Sequence, residues 1–87
     1  AAIIIDGALV VADGANDRVL FYDPVPTASG ASASYVLGQA TTTATVLDQA
    51  PSDRTLNNPI GLAFDGRHLY VSDHDNRRVL RYTLNLP

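Results

Sequence analysis

Two segments of this chain carry the same succession of turn and strand residues, and this repeat restricts the fold more than any other feature. Residues 6–22 are DGALVVADGANDRVLFY, and residues 65–82 are DGRHLYVSDHDNRRVLRY. The offset between the copies is 59 residues at their first Asp and 60 at their second, which predicts a one-residue insertion in the first turn of the second copy. A long-period repeat of strand-like units is typical of propellers and other arrays.

Each copy predicts an antiparallel meander, so the expected fold class is all-β. A short apolar run precedes each Asp-Gly pair, and continuous apolarity is typical of strands buried on both faces. Asp-Gly after such a run is a strong hairpin signal because both residues tolerate positive φ. The predicted strands lie near residues 2–5, 9–12, 18–22 and 34–37 in one full meander, and near 60–64, 69–72 and 78–82 in three strands of a second.

The strands divide the chain into a first blade at 1–39, an inter-blade loop at 40–58 and a second blade at 59–87 that lacks its outer strand. The loop contains three consecutive Thr residues, which are poor helix formers, so a surface loop is expected. A meander that is apolar on both faces must stack against like neighbours, as propeller blades do. We therefore expect the chain to be a processed or incomplete piece of a longer protein.

Composition narrows the range of partners. The formal charge of −3 and the pI near 4.9 argue against nucleic acid and anionic membranes, since both require a positive surface. No apolar run approaches the roughly 20 residues that span a bilayer, so no membrane insertion is expected. The absence of Cys excludes disulfides and thiolate metal sites within the chain.

The segments NPIGLAFDG at 58–66, LYVSD at 69–73 and RVL at 78–80, with Asn76, resemble the NHL repeat of β-propellers. VLGQ at 36–39 is similar to the link between blades in bacterial NHL proteins. The resemblance occurs twice in register and covers nearly the whole chain outside 40–56. It implies a six-bladed ring in most members, so this chain of about one and a half blades needs more sequence or more subunits to close a ring.

The first copy departs from the NHL pattern in two places. It lacks the Pro-x-Gly lead-in, and Gly14-Ala15 stands where the second copy has His74-Asp75.

Both copies share a polar set that we interpret as structural. Asp at a strand end can accept backbone N–H bonds across the turn, and Asn tolerates the left-handed conformation there. Arg can bridge to the Asp or to a neighbouring blade by a charge-assisted fork. A catalytic site is more often unique to one blade, so recurrence favours architecture. The set comprises Asp13, Asn16 and Arg18 in the first copy and Asp73, Asn76 and Arg78 in the second.

No metal site, cofactor or catalytic residue is predicted. The run 73–76 resembles the start of a calcium loop, but the Gly at the sixth loop position and the distal Glu are missing. His68 and His74 are the only histidines, and they are expected at opposite ends of the meander, where they cannot readily share one metal. Some NHL propellers are amidating lyases that bind zinc through histidines from several blades, and the resemblance offers His74 as one such ligand. The first copy has no matching His, so an exposed turn histidine is the favoured interpretation of His74.

A ligand site is predicted at one end of the meanders. The loop 40–58 leaves the fourth strand at the same end as the turns 13–17 and 73–77, and long structured loops are often functional. The binding hypothesis comprises His74, Asp75 and Arg77 with the loop residues Asp48, Gln49, Asp53 and Arg54.

The function expected from these observations is a non-catalytic interaction or structural scaffold within a larger propeller or assembly. Its partners would be the remaining blades or identical subunits, together with an unknown protein ligand. The alternative is part of a metal-dependent NHL enzyme of the amidating-lyase or lactonase kind, and an RNA-binding NHL domain is the weaker third. The sequence leaves the compartment open, with an extracytoplasmic or secreted bacterial protein favoured.

Overall fold

The computed structural model describes residues 1–38 and 55–83. These residues form two antiparallel sheets, one of four strands and one of three. Strand order follows chain order in both sheets, as in simple meanders. No α-helix occurs in these two ranges, so the fold is all-β. The first sheet contains β1 (Ala2–Ile5), β2 (Ala8–Asp13), β3 (Arg18–Tyr22) and β4 (Tyr35–Leu37), and the second contains β5 (Pro59–Phe64), β6 (His68–Asp73) and β7 (Arg78–Thr83).

The two meanders have the same strand register at a uniform offset of 60 residues. Ile4 pairs with Leu9 in the first sheet, and Phe64 pairs with Leu69 in the second. The same offset relates the pairs between the second and third strands of each sheet. The predicted one-residue insertion is therefore wrong: the two Asp-Gly pairs do not occupy equivalent positions.

The first hairpin turn explains this difference. In the first copy, Asp6 and Gly7 form the turn with φ of 46° and 81°, as the hairpin prediction requires. In the second copy, Asp65 is not in the turn: its N–H donates to the carbonyl of His68 at 3.2 Å, which places it opposite that residue. Its carboxylate fixes the turn instead, because Oδ1 accepts the N–H groups of Arg67 at 2.9 Å and His68 at 2.7 Å.

The core lies between the two sheets. The side chains that face it from the first sheet are Ile3, Ile5, Val10, Val19, Phe21 and Leu37, and those from the second are Leu62, Phe64, Leu69, Val71, Leu80 and Tyr82. Because direct neighbours across strands share a face, the remaining residues form an outer face on each sheet. Leu80 and Tyr82 lie on the inner face while Val79 and Arg81 lie outside, as the alternation in this strand predicts.

The segment just before β5 joins the sheets. Leu56 is fully buried between them, and a Cβ on Gly38 would lie 2.7 Å from its side chain, so Gly38 must lack one. Gly38 also has a φ of 94°, which favours glycine. A Cβ on Gly14 would lie 2.7 Å from Asn58 Oδ1, so a second glycine allows the first sheet to approach this segment.

Candidate functional site

The polar residues at the end of β2 form a compact cluster. Asp13 Oδ2 accepts hydrogen bonds from Asn16 Nδ2 at 3.0 Å and from Arg18 Nε at 2.8 Å. Asp13 keeps a quarter of its side-chain surface exposed. A single carboxylate oxygen thus connects the end of one strand, the short 3-10 turn Gly14–Asn16 and the start of the next strand.

The equivalent cluster at the end of β6 also attaches the segment that enters the second sheet. Asp73 Oδ2 accepts from Asn76 Nδ2 at 2.9 Å and Arg78 Nε at 2.7 Å, while Oδ1 accepts the N–H of Asn57 at 2.6 Å. Arg78 additionally donates to the carbonyl of Thr55 at 2.9 Å. The Asp73 side chain has no exposed surface. The cluster therefore links β6, the 3-10 turn, β7 and the segment that enters the second sheet.

The left-handed residue of each turn is not the Asn that the sequence suggested. Asp17 and Arg77, which follow the 3-10 turns, have φ of 56° and 54°. Asn16 and Asn76 instead donate through their side-chain amides to the preceding Asp. The predicted role of Asn in these turns is therefore corrected from backbone conformation to hydrogen bonding.

Three of the predicted binding residues lie around the second 3-10 turn, His74–Asn76. His74 Nδ1 lies 2.8 Å from Asp75 Oδ1, and Asn58 Nδ2 lies 3.5 Å from the same oxygen. The hydrogen bond from His74 is the main cause that lowers the pKa of Asp75, and Asn58 adds to it. His74, Asp75 and Arg77 are all exposed, so their polar groups are accessible to a ligand.

The described end of the predicted loop lies against both turns. Asp75 donates its N–H to the carbonyl of Asn57 at 3.0 Å, and Asp17 Oδ1 accepts the N–H of Asn58 at 2.9 Å. Residues 57 and 58 of the predicted loop therefore lie beside the two turns. The remaining predicted binding residues lie outside the described residues, namely Asp48, Gln49, Asp53 and Arg54. Ligand binding by this surface stays a prediction.

A further polar network, which the sequence analysis missed, lies at the other end of β6. Asp65 Oδ2 accepts a hydrogen bond from the Tyr70 hydroxyl at 2.9 Å and lies 3.4 Å from His68 Nδ1. The rings of His68 and Tyr70 meet edge to face, with centroids 6.4 Å apart. The backbone N–H groups of His68 and Arg67, followed by the Tyr70 hydroxyl, hold the pKa of Asp65 well below its ordinary value.

The two histidines flank strand β6: His68 is its first residue, and His74 comes directly after its last residue, Asp73. They therefore lie at opposite ends of the second sheet, as predicted. In residues 1–38 and 55–83, no group of three or more His, Asp or Glu side chains is arranged to hold a metal ion. The same ranges contain no helix with the length and apolarity needed to cross a membrane.

In comparisons with known proteins, no family model, no curated protein and no solved structure matches this chain.

Proposed function

We propose that this chain is a segment of an NHL-type β-propeller that serves as a non-catalytic scaffold for protein assembly. The observation that carries the proposal is an exchange of faces between the two sheets. Residues on the outer face of the first sheet have their equivalents, 60 residues later, on the inner face of the second. The outer residues Ala2, Ile4, Leu9, Val11, Leu20 and Tyr22 correspond in order to Leu62, Phe64, Leu69, Val71, Leu80 and Tyr82.

This exchange is what a stack of like units requires. The second sheet covers the first with one face, and the first sheet presents the equivalent apolar face to the outside. On that face Ile4 is 61% exposed, Leu9, Val11 and Tyr22 are partly exposed, and Leu20 is buried. Exposed apolar surface favours an interaction site. A sheet whose apolar face is uncovered is stabilised by a like neighbour, so further blades would cover the outer face of the first sheet.

A protein ligand would bind at the end of the stack where the two 3-10 turns lie. His74, Asp75 and Arg77 offer exposed groups of both charges there, and the clusters at Asp13 and Asp73 hold the turns in place. The NHL resemblance supports the same arrangement, since the shared Asp-Asn-Arg set maintains the scaffold and the differing residues remain for recognition.

This function is tested by chemical footprinting of the chain alone and within the larger propeller or assembly isolated from its source, here called the native particle. Ile4 and Leu9 are expected to be labelled in the isolated chain and protected in the particle. Leu9→Glu should release the chain from the particle, because it places a charge on the outer face, whereas Ala15→Glu on an exposed turn should not. Equal labelling of Ile4 and Leu9 in both states would exclude assembly through this face.

A further inference from the structure

The outer face of the second sheet differs in chemistry from the equivalent face of the first. Ile5 and Phe21 on the inner face of the first sheet correspond, 60 residues later, to Asp65 and Arg81. The first two side chains are buried against the neighbouring sheet, whereas their equivalents are exposed. The second sheet therefore does not repeat the surface by which the first sheet binds its neighbour.

The 3-10 turn of the second sheet likewise lacks the residues by which the turn of the first sheet contacts its neighbour. Gly14 allows close approach of Asn58, whose side-chain oxygen would lie 2.7 Å from a Cβ, but the equivalent residue in the second copy is His74. Asp17 accepts the N–H of Asn58 at 2.9 Å. Its equivalent, Arg77, has the same left-handed backbone but no acceptor on its side chain. Both contacts that attach the next sheet are thus lost in the second copy.

The outer face of the second sheet forms a shallow apolar depression with a cation beside it. The depression has a volume of about 280 Å³ and is lined by the outer-face residues Gly61, Ala63, Tyr70, Ser72 and Val79, together with Leu62, whose side chain faces the core. Arg81 lies directly opposite Tyr70 across the strand pair and is exposed. Among the described residues, none forms a hydrogen bond or ion pair with its guanidinium. The nearby carboxylate of Asp65 is already bonded to Tyr70.

We propose that this face binds an apolar partner surface that carries a carboxylate, and that the partner is not a second copy of this chain. The carboxylate pairs with Arg81 through charge-assisted hydrogen bonds, for which the planar guanidinium is suited. Apolar groups of the partner cover the depression around Val79, which is 65% exposed. The inference rests on the proposed function, because it treats the outer faces as assembly surfaces.

A second copy stacked through the outer face of its first sheet would not supply this chemistry, because the only carboxylate among the strand residues β1–β4 is that of Asp13. Its apolar outer face would bring Ile4 and Leu9, while the carboxylate of Asp13 on that sheet is already bonded to Asn16 and Arg18. Stacked on the second sheet, these aliphatic groups would cover Arg81 without giving it a partner. Burying an unpaired charge is strongly unfavourable.

Two aliphatic probes of equal length and opposite charge test the proposal. Hexanoate titrated into the isotope-labelled chain should shift the backbone amide signals of Tyr70, Val79 and Arg81, whereas hexylammonium should not. Arg81→Gln should weaken hexanoate binding about tenfold or more, the effect of losing a charge-assisted hydrogen bond. Arg67→Gln is the matched control, because Arg67 is an exposed Arg in the neighbouring turn, and it should leave hexanoate binding unchanged.

Equal shifts from both probes, or undiminished hexanoate binding by the Arg81→Gln variant, would overturn the proposal. Concentration-dependent dimerisation of the unmodified chain that protects both Ile4 and Val79 from labelling would also overturn it, because the occupant would then be a second copy. These outcomes differ from failure of the proposed function, in which Ile4 and Leu9 stay labelled in the native particle whatever the probes show.

Discussion

At the scale of single residues, the two strand-end aspartates allow a matched comparison. Asp73 is fully buried and bonds three groups, including the N–H of Asn57, whereas Asp13 is partly exposed and bonds two. Asp73→Ala should lower the free energy of unfolding by about 3–5 kcal/mol, because it removes a fully buried carboxylate that accepts hydrogen bonds from Asn76, Arg78 and the N–H of Asn57. Asp13→Ala should cost about 1–2 kcal/mol.

Urea denaturation of both Ala variants checks this prediction. Equal losses of unfolding free energy would contradict the view that the second cluster also attaches the segment that enters its sheet. Asp75→Ala is a suitable control, since its side chain is about half exposed.

Asp65 should make stability depend on pH in the acid range. Hydrogen bonds from the N–H groups of His68 and Arg67 and from the Tyr70 hydroxyl lower its pKa from the ordinary value of 3.8. A carboxyl whose pKa is lowered on folding stabilises the fold above its unfolded pKa, and this contribution is lost as the pH falls through the folded value. Asp65→Asn should therefore reduce stability at neutral pH and flatten its decline below about pH 4.

The urea midpoint measured across this pH range gives the slope directly. Tyr70→Phe removes one donor to Asp65 and should flatten the slope in part, while Tyr35→Phe, at an exposed Tyr of the first sheet, should keep the slope of the unmodified protein. An unchanged slope in the Asp65→Asn variant would show that this carboxyl does not contribute to the acid dependence.

These residues also show where sequence reasoning succeeds and fails. The spacing of the recurring Asp, Asn and Arg lets their side chains meet across one turn, and each Asp does accept hydrogen bonds from its Asn and Arg. The network around Asp65 does not follow from the sequence, because aligning Asp65-Gly66 with Asp6-Gly7 predicts that Asp65 lies in the turn. The register of the strand pairs reveals the uniform offset, and the bond from Asp65 to His68 shows that Asp65 lies before the turn.

At the scale of elements, each of the seven predicted strands is found in the described parts of the chain, and every strand end lies within one residue of its predicted position. Strand positions follow from local patterns of side-chain size and turn residues. The position of the segment 55–58 between the sheets does not, because burial of Leu56 is decided by the shape of both sheets together. The local pattern therefore predicts a surface loop for this segment, whereas its Leu56 belongs to the core.

Leu56→Ala should lower the free energy of unfolding by about 2–5 kcal/mol, because it leaves a cavity between the sheets that cannot close without moving both. Ile60→Ala is the matched control, since Ile60 lies on the adjoining strand and is 49% exposed, and its loss should cost less than about 1 kcal/mol. Similar costs for the two substitutions in thermal or urea denaturation would contradict a core that is centred between the sheets.

At the scale of the whole molecule, each sheet depends on the other. The inner side of the first sheet, which includes Val10, Val19 and Phe21, is buried only because the second sheet covers it. A peptide of residues 1–38 should therefore lack the strand signal in circular dichroism that the 87-residue chain gives. A cooperative thermal transition in the isolated peptide would show that the first meander is stable without a neighbour.

The connection between the sheets has a consequence for how the chain reaches its fold. Each hairpin joins residues close in sequence, so it can form within microseconds, whereas the bond from Asn58 to Asp17 spans 41 positions. Contacts of that separation form only after a long loop has closed, which slows folding. The rate-limiting barrier is therefore expected to precede docking of the sheets. Leu56→Ala should accelerate unfolding and leave the refolding rate nearly unchanged.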